Sequence, residues 1–521
     1  MHENREIFAA PEGNQPTGRS VKAQNQTTDM HAVKKSDSGV VPLKHPNKGG
    51  SPPAEGVEGR PEIEENIAES NTCLTQSRKG VSQGLSGVRQ AAKERKKERF
   101  TAVLHHLTIG LLEESFFALK RTAAPGVDGV RWKEYEQGWQ DRLAGLHARI
   151  HRGTYRAQPS RRIYIPKADG RERPLGIAAL EDKIVQQAVV TILNQIYEVD
   201  FKGFSYGFRP GRSPHQALDA LSVGLTRKRV NWVLDADIRG FFDHMNHEWM
   251  LKFLQHRVAD PRILGLLQKW LKAGVSEDGE WSETKVGTPQ GAVVSPLLAN
   301  IYLHYVFDLW AQVWREKVAS GDLMVVRYAD DLVVGFENRA DAVRFLNDFR
   351  ERLAKFGLES HPDKTRLIEF GRHAETNRRQ RGEGKPETFT FLGFTHYCAR
   401  TYQGGVFTIK RRTAGARLRA KLKQIQQTLR RRMHDPVSMV GDWLHQVVTG
   451  YFLYHAVPGN LACLGKFRAR LCRIWRQVLR RRSQKRRLNW ERLNRGFERW
   501  LPHPRVLHPY PSARFDALHP R

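Results

Sequence analysis

The chain has 521 residues, and 40% of them are hydrophobic, enough for real cores in about two to four ordinary domains. Lys and Arg total 86 against 55 Asp plus Glu, a formal net charge of +31; that excess points to a polyanion, nucleic acid first, because neutralising phosphates releases counterions. The sequence has no apolar run of about eighteen residues, no apolar core in MHENREIFAAPEGNQ, and no Cys-x-x-Cys pair among Cys73, Cys398, Cys463 and Cys472. A spanning helix, a secretion signal, a disulfide framework and a zinc knuckle are thereby excluded, and the reading is of a soluble, intracellular protein.

In chain order, the stretch between Phe8 and Phe100 lacks aromatic residues and is rich in Gly, Pro, Ser, Asn, Gln and Glu. Residues 1–95 are therefore expected to form a polar extension that is disordered by itself. Its last part, VRQAAKERKKERF, has the composition of a basic helix leading into the core. From about 100 to 395, β-branched segments alternate with longer helical patterns. RRIYIP, NWVLDADI, LMVVRYADDLVVGF and FTFLGF read as strands, and ALEDKIVQQAVVTILNQIYEV as a helix packed on a sheet. After about 400 the pattern is helical and basic. ARLRAKLKQIQQTLRRRM carries Leu418, Leu422, Ile425 and Leu429 at steps of four, three and four, and further helices are read around WLHQVVTGYFLY and through KFRARLCRIWRQVLRRR. The resulting division is 1–95 extension, 96–398 mixed α/β region, 399–490 helical domain and 491–521 basic tail.

Within the α/β region, RYADDLVVGF sets Asp330 and Asp331 between two apolar runs, which predicts a hairpin with carboxylates at its tip. Such a tip can hold a divalent cation, although Asp-Asp also suits a solvated turn. NWVLDADIRGFFD supplies a second strand on which Asp235 and Asp237 share one face, so either could reach the same cation. An acid amid Val, Leu and Ile is costly without a cationic partner. A strand acid with a hairpin acid pair is the layout of two-metal phosphoryl transfer, with ions about 4 Å apart.

The motifs then continue in a recognisable series: AAPGVDGV at 123–130, RIYIPKADGRERPLGI at 162–177, YGFRPGRSPHQAL at 206–218, DADIRGFFD, GTPQGAVVSPLLANIYL at 287–303, YADD, GLESHPDKT at 357–365 and FTFLGF at 389–394. In this order they resemble the group II intron-encoded proteins, the reverse transcriptase/maturase family, over roughly residues 100–510. The resemblance implies an α/β (α+β) right-hand polymerase whose fingers and palm contain a mixed sheet, followed by an all-helical thumb/maturase domain. It implies two Mg²⁺ ions on Asp237, Asp330 and Asp331, the last the least direct ligand and Asp235 a neighbour. Lys167 and Arg173 would hold the incoming triphosphate, and Gln290 and Gly291 would touch the nucleotide. Phe242, with Phe241 competing for the role, would lie under the sugar and exclude a 2′-hydroxyl.

TGYFLYHAVPGN resembles the maturase region, where Arg417, Lys421, Arg430, Arg431 and Arg432 are read as RNA-binding and Trp475, Trp490 and Trp500 as either RNA-facing or core. The implied partners are group II intron RNA, a DNA target and primer, and deoxynucleoside triphosphates, with no membrane; a homodimer is compatible with these readings. The implied setting is the bacterial cytoplasm and nucleoid. The ending LPHPRVLHPYPSARFDALHPR shows no His-Asn-His endonuclease, so second-strand cleavage is not expected. Alternatives are a domesticated reverse transcriptase serving phage defence or diversification, and an RNA-binding splicing cofactor with an inactive polymerase site.

Overall fold

The structure is a computed structural model that describes residues 74–166, 172–277, 279–283, 286–288, 290–401, 404–482 and 490–519. The described strands are β1 (Ser160–Pro166), β2 (Glu172–Ile177), β3 (Trp232–Ala236), β4 (Val275–Glu277), β5 (Glu280–Ser282), β6 (Leu323–Tyr328), β7 (Asp331–Phe336), β8 (Arg366–Glu369), β9 (Phe389–Phe391), β10 (Phe394–Arg400) and β11 (Phe407–Thr413). They form three sheets in the orders β2-β1-β4-β5, β6-β7-β3-β8 and β11-β10-β9. The mixed α/β region is thus as expected.

The central sheet explains the long apolar runs on either side of YADD. Five consecutive residues are buried in each of β6 and β7, because both faces of the sheet are covered. Successive side chains point to opposite faces. Leu332, Val334 and Phe336 accordingly enter the core with Phe345 and Phe349 of the Arg339–Lys355 helix. Val333 enters the opposite core with Leu218, Leu221 and Leu225 of the Pro214–Arg227 helix. That second core also takes Phe389, Phe391, Phe394 and Ile409 from the third sheet, which is thereby fastened behind the central one.

The Leu180–Asp200 helix forms where its apolar spacing predicts it. In the helical module, Leu418, Leu422, Ile425 and Leu429 are buried along the Gly415–Arg431 helix, against the Val437–His455 and Leu461–Arg481 helices. Among the described residues no helix is long and apolar enough to cross a membrane.

Three boundaries differ from the sequence reading. The expectation for residues 1–73 lies outside the described residues, but Leu74–Glu94 form a helix whose Leu85, Val88 and Ala92 are buried in the α/β region. Its C-terminal carbonyls and the turn beyond are collected by Arg257, whose guanidinium donates to Ala92, Arg95, Lys96 and Glu98. The third sheet continues to Thr413, so the helical module begins at Gly415 rather than 399. Finally, 491–521 is not merely a basic tail. The Trp490–Trp500 helix sends Phe497 into the helical core, joined there by Leu501, and the Pro511–Leu518 helix returns to the Pro214–Arg227 helix.

Candidate active site

Tyr328 pairs with Asp331 across β6 and β7, leaving Ala329 and Asp330 as a two-residue turn. Ala329 has φ of 55°, a left-handed conformation that side-chain-bearing residues avoid. The backbone of Gly207 closes behind it: a Cβ there would lie 2.2 Å from the Ala329 nitrogen. On the neighbouring strand the antiparallel register pairs Asp235 with Val333 and Ala236 with Leu332. Asp237 and Asp331 therefore stand one step further along the same register. A strand end and a hairpin tip bring the acids together although 93 residues of sequence separate Asp237 from Asp330 (330 − 237).

Electrostatics shows how crowded the acids are. Burial pushes the Asp330 carboxyl up, and the charge of Asp237 adds to it. For Asp331, burial and then the charges of Asp330, Asp237 and Asp235 push the pKa up to about 7. Asp331 is nonetheless exposed, so solvent screens part of this crowding. Asp235 is raised to about 6, again by burial first, with Arg366 opposing and Asp237 adding. Carboxylates that resist ionising beside one another form an oxygen-only, hard donor set, the kind that suits Mg²⁺.

The set is not assembled as a cage: among the described residues no three acidic, imidazole or thiol groups stand close enough to enclose a metal. Cationic side chains lie on the two strand acids instead. Lys364 Nζ donates to Asp237 Oδ2, and an Arg366 nitrogen lies 3.6 Å from Asp235 Oδ2. Lys364 belongs to the GLESHPDKT segment, whose His361 amide donates to the Asp237 carbonyl at 2.8 Å.

Of the residues read as nucleotide-binding, Arg173 is the one tied to this cluster. Arg173 lies on β2, and its charge acts on Asp330. Lys167 lies outside the described residues. The Gln290 carbonyl accepts from the Gly176 amide at 2.7 Å, and a Cβ on Gly291 (φ 110°) would meet the Gly176 carbonyl at 2.9 Å. The TPQG turn is therefore fitted against β2 and requires glycine. Of the two adjacent phenylalanines, Phe241 is buried at 2% exposure whereas Phe242 is only partly buried; only Phe242 keeps surface for a sugar.

The basic residues divide. Arg417 is exposed and its charge reaches Asp331, which places it beside the acids. Arg430 and Arg431 are exposed at the end of the first helix of the module. Lys421 is half-buried and donates to Gln424, while Arg432 pairs with Asp435 at 2.8 Å and lies over the Trp443 ring. Trp475 is core at 1% exposure, and Trp500 donates to Asp442; neither is left open as an RNA-stacking platform, and the side chain of Trp490 lies outside the described ones.

Sequence reasoning missed Lys364, Arg366 and Arg327. The available signal was a cation next to an acid-bearing motif; what it lacked was the partner, 127 residues away for Lys364.

Residues 165–396 match the family described as reverse transcriptase (RNA-dependent DNA polymerase). Protein YkfC of Escherichia coli strain K12 is 36% identical over 258 residues, which are 43% of this chain and 67% of YkfC. Group II intron-encoded protein LtrA of Lactococcus lactis subsp. cremoris is 41% identical over 183 residues, 34% of this chain and 30% of LtrA. Nuclear intron maturase 1, mitochondrial, of Arabidopsis thaliana is 30% identical over 92 residues, 18% of this chain and 13% of that protein. The matched stretch thus spans about two thirds of YkfC and less than a third of the other two.

Proposed function

The chain belongs to the group II intron-encoded reverse transcriptase/maturase family, and from that premise we propose that it copies RNA into DNA at the Asp237, Asp330 and Asp331 cluster and binds its parent intron RNA to assist splicing. The observation that carries this reading is the meeting of a strand-end acid with a hairpin acid pair, where the charge of Asp237 pushes the Asp330 and Asp331 carboxyls up, within electrostatic reach of Arg173. In this reading the β2-β1-β4-β5 sheet belongs to the fingers, the central sheet is the palm and the helical module is the thumb.

Reverse transcriptases use divalent metal ions, here assigned as two Mg²⁺ on Asp237 and Asp330 with Asp331 beside them; when bound they supply charge to activate the primer 3′-hydroxyl and to stabilise the leaving pyrophosphate. Lys364 is the counterion of Asp237 in this structure and would share that carboxylate with such an ion. Arg173, with Lys167, binds the triphosphate through charge-assisted hydrogen bonds. Phe242 occupies the space a 2′-hydroxyl would need. Arg417, at the junction of the acids and the helical module, and Arg430 with Arg431 hold RNA phosphates. The partners in this reading are intron RNA, a DNA target and primer, and deoxynucleoside triphosphates, in the bacterial cytoplasm.

Primer extension on an RNA template under magnesium tests the assignment: the parent protein extends, and Asp237→Ala and Asp330→Ala do not. Extension by both variants at the parent rate rules the site out.

A further inference from the structure

Beneath the Ala329–Asp330 turn lies a buried charge that the proposed chemistry does not use. Arg327, near the end of β6, is 0% exposed. Its Nε and Nη2 donate to Asp308 Oδ1 and Oδ2 at 2.7 and 2.6 Å, and its Nη1 donates to Asn300 Oδ1 and to the Ala329 carbonyl, each at 3.1 Å. Asp308 is equally buried. It ends a π-helical turn, His304–Asp308, inserted between the Ser295–Leu303 and Leu309–Lys317 helices; such turns shift side chains out of ordinary helical register. Burial pushes the Asp308 carboxyl up, but Arg327 and His304 together more than offset it and hold it below the usual range. Asn300 completes the circuit: its Nδ2 donates to the Gly207 carbonyl at 2.7 Å, and Gly207 is the residue packed against the Ala329 amide.

A buried ion pair is weak evidence for stability, because desolvating two charges cancels much of their attraction. What the pair provides is direction. A planar guanidinium gripped along one edge by both oxygens of a carboxylate has its remaining N–H groups aimed, and here one is aimed at the peptide of a residue in a left-handed conformation, which persists only where its surroundings impose it.

We propose that Arg327, oriented by Asp308 and Asn300, is the positioning residue for Asp330: it holds the Ala329 peptide in its strained turn and so fixes where the Asp330 carboxylate stands relative to Asp237. The proposal rests on the reading of those two acids as the polymerase centre.

The test uses the full chain and two variants. Arg327→Lys keeps the charge but not the fork, and Asn300→Ala leaves the Arg327–Asp308 pair in place while removing its tie to Gly207. Primer extension is measured across magnesium concentrations, with active sites counted by the first-turnover burst, and Mg²⁺ binding is measured by calorimetry without primer or nucleotide. The expected result is a turnover per active site and a magnesium affinity reduced together by about 10–100-fold, as for groups that orient metal-binding carboxylates, with RNA affinity and nucleotide KM unchanged. A purely structural role would instead lower the active fraction and leave the magnesium dependence of the remaining sites as in the parent; that result overturns the proposal. If Arg327→Lys does not fold, Asn300→Ala decides. Asp330→Ala run in parallel separates the two layers: if it is inactive while Asn300→Ala is normal, only the positioning role fails, and if it is fully active the polymerase reading fails.

Discussion

The Ala329–Asp330 turn and the C-terminal return are both fastened by an arginine that donates two parallel hydrogen bonds to an aspartate, yet they are fastened to different degrees. Arg327 and Asp308 are each 0% exposed, whereas Arg227 and Asp516 keep 40% and 51% of their side-chain surface. The geometry is equally good in both, with contacts of 2.7 and 2.6 Å. Water screens the exposed pair, so it contributes little. Removing one partner of the buried pair strands a charge and costs about 3–5 kcal/mol. The same two residue types thus make a fixed part at the acids and a releasable part where the Pro511–Leu518 helix meets the Pro214–Arg227 helix.

The largest effect expected is at the fixed end. Asp330→Ala and Asp237→Ala should each lower the rate of primer extension by at least about 10²–10³-fold, the loss seen when stabilisation of transition-state charge is removed. RNA affinity should remain, because it is spread over many cations. A variant that loses RNA binding along with synthesis would place the acids in the RNA site and erase the division.

Next comes stability. Arg327→Met should lower the free energy of unfolding of the α/β region by about 3–5 kcal/mol, and Arg227→Ala by far less. Urea titration followed by amide exchange, which resolves the separate regions, checks both. Equal losses would show that burial does not distinguish the two pairs.

The releasable end should also respond to pH. His215 and His508 stack at 3.9 Å, and their rings contact the carbonyls of Tyr454 and Leu453. Burial lowers His215 to about 4; the Tyr454 carbonyl opposes this, while His508, Arg514 and Arg411 add to it. His508 is lowered by burial, opposed by the Leu453 carbonyl and Asp219, and lowered further by Arg514 and Arg411. A histidine whose folded pKa lies below its ordinary 6.5 takes up a proton when its site opens. Docking is therefore at full strength above about pH 6.5 and weakens as pH falls toward about 4. Amide exchange of the Pro511–Leu518 helix, corrected for intrinsic rates, should speed up between about pH 7.5 and about pH 5, while β6 and β7 stay protected. Unchanged protection of that helix would mean that its apolar contacts suffice without neutral histidines.

The same contrast governs what could be read in the sequence. Leu418, Leu422, Ile425 and Leu429 announce their helix because periodicity is local, and YADD announces its turn for the same reason. Of the N-terminal helix only the end, from Val88, is legible; its first part is not, because Leu85, Val88 and Ala92 give a thin stripe among Gly, Ser and charged residues, and its hold on the fold comes from Arg257, more than 150 residues away. β11 hid behind KRR, because Arg411 looks like a surface charge until Asp219, 192 residues earlier, is found beside it. The acids at the site were legible from type and spacing; the cations that pair with them or aim them, Lys364 on Asp237 and Arg327 beneath Ala329, were legible only as charges in unexpected company.

The smallest effect expected belongs to the surface of the helical module, where neighbours on one helix end repeat the contrast. Arg430 and Arg431 are exposed and make no ion pair with a described residue, while the next residue, Arg432, is committed to Asp435 and Trp443. A cation free of an internal partner can neutralise a phosphate without first breaking a contact, and each phosphate contact adds about one unit to the dependence of log K on log salt. Arg430→Glu with Arg431→Glu should therefore weaken binding of intron RNA modestly at low salt and flatten the salt slope by about two units. Arg432→Glu should flatten it less and loosen the turn into the Val437–His455 helix instead. Binding measured across a salt series separates the cases: a double variant with the parent's affinity and slope would remove this helix end from the RNA surface and leave Arg417, beside the acids, as the cation to test next.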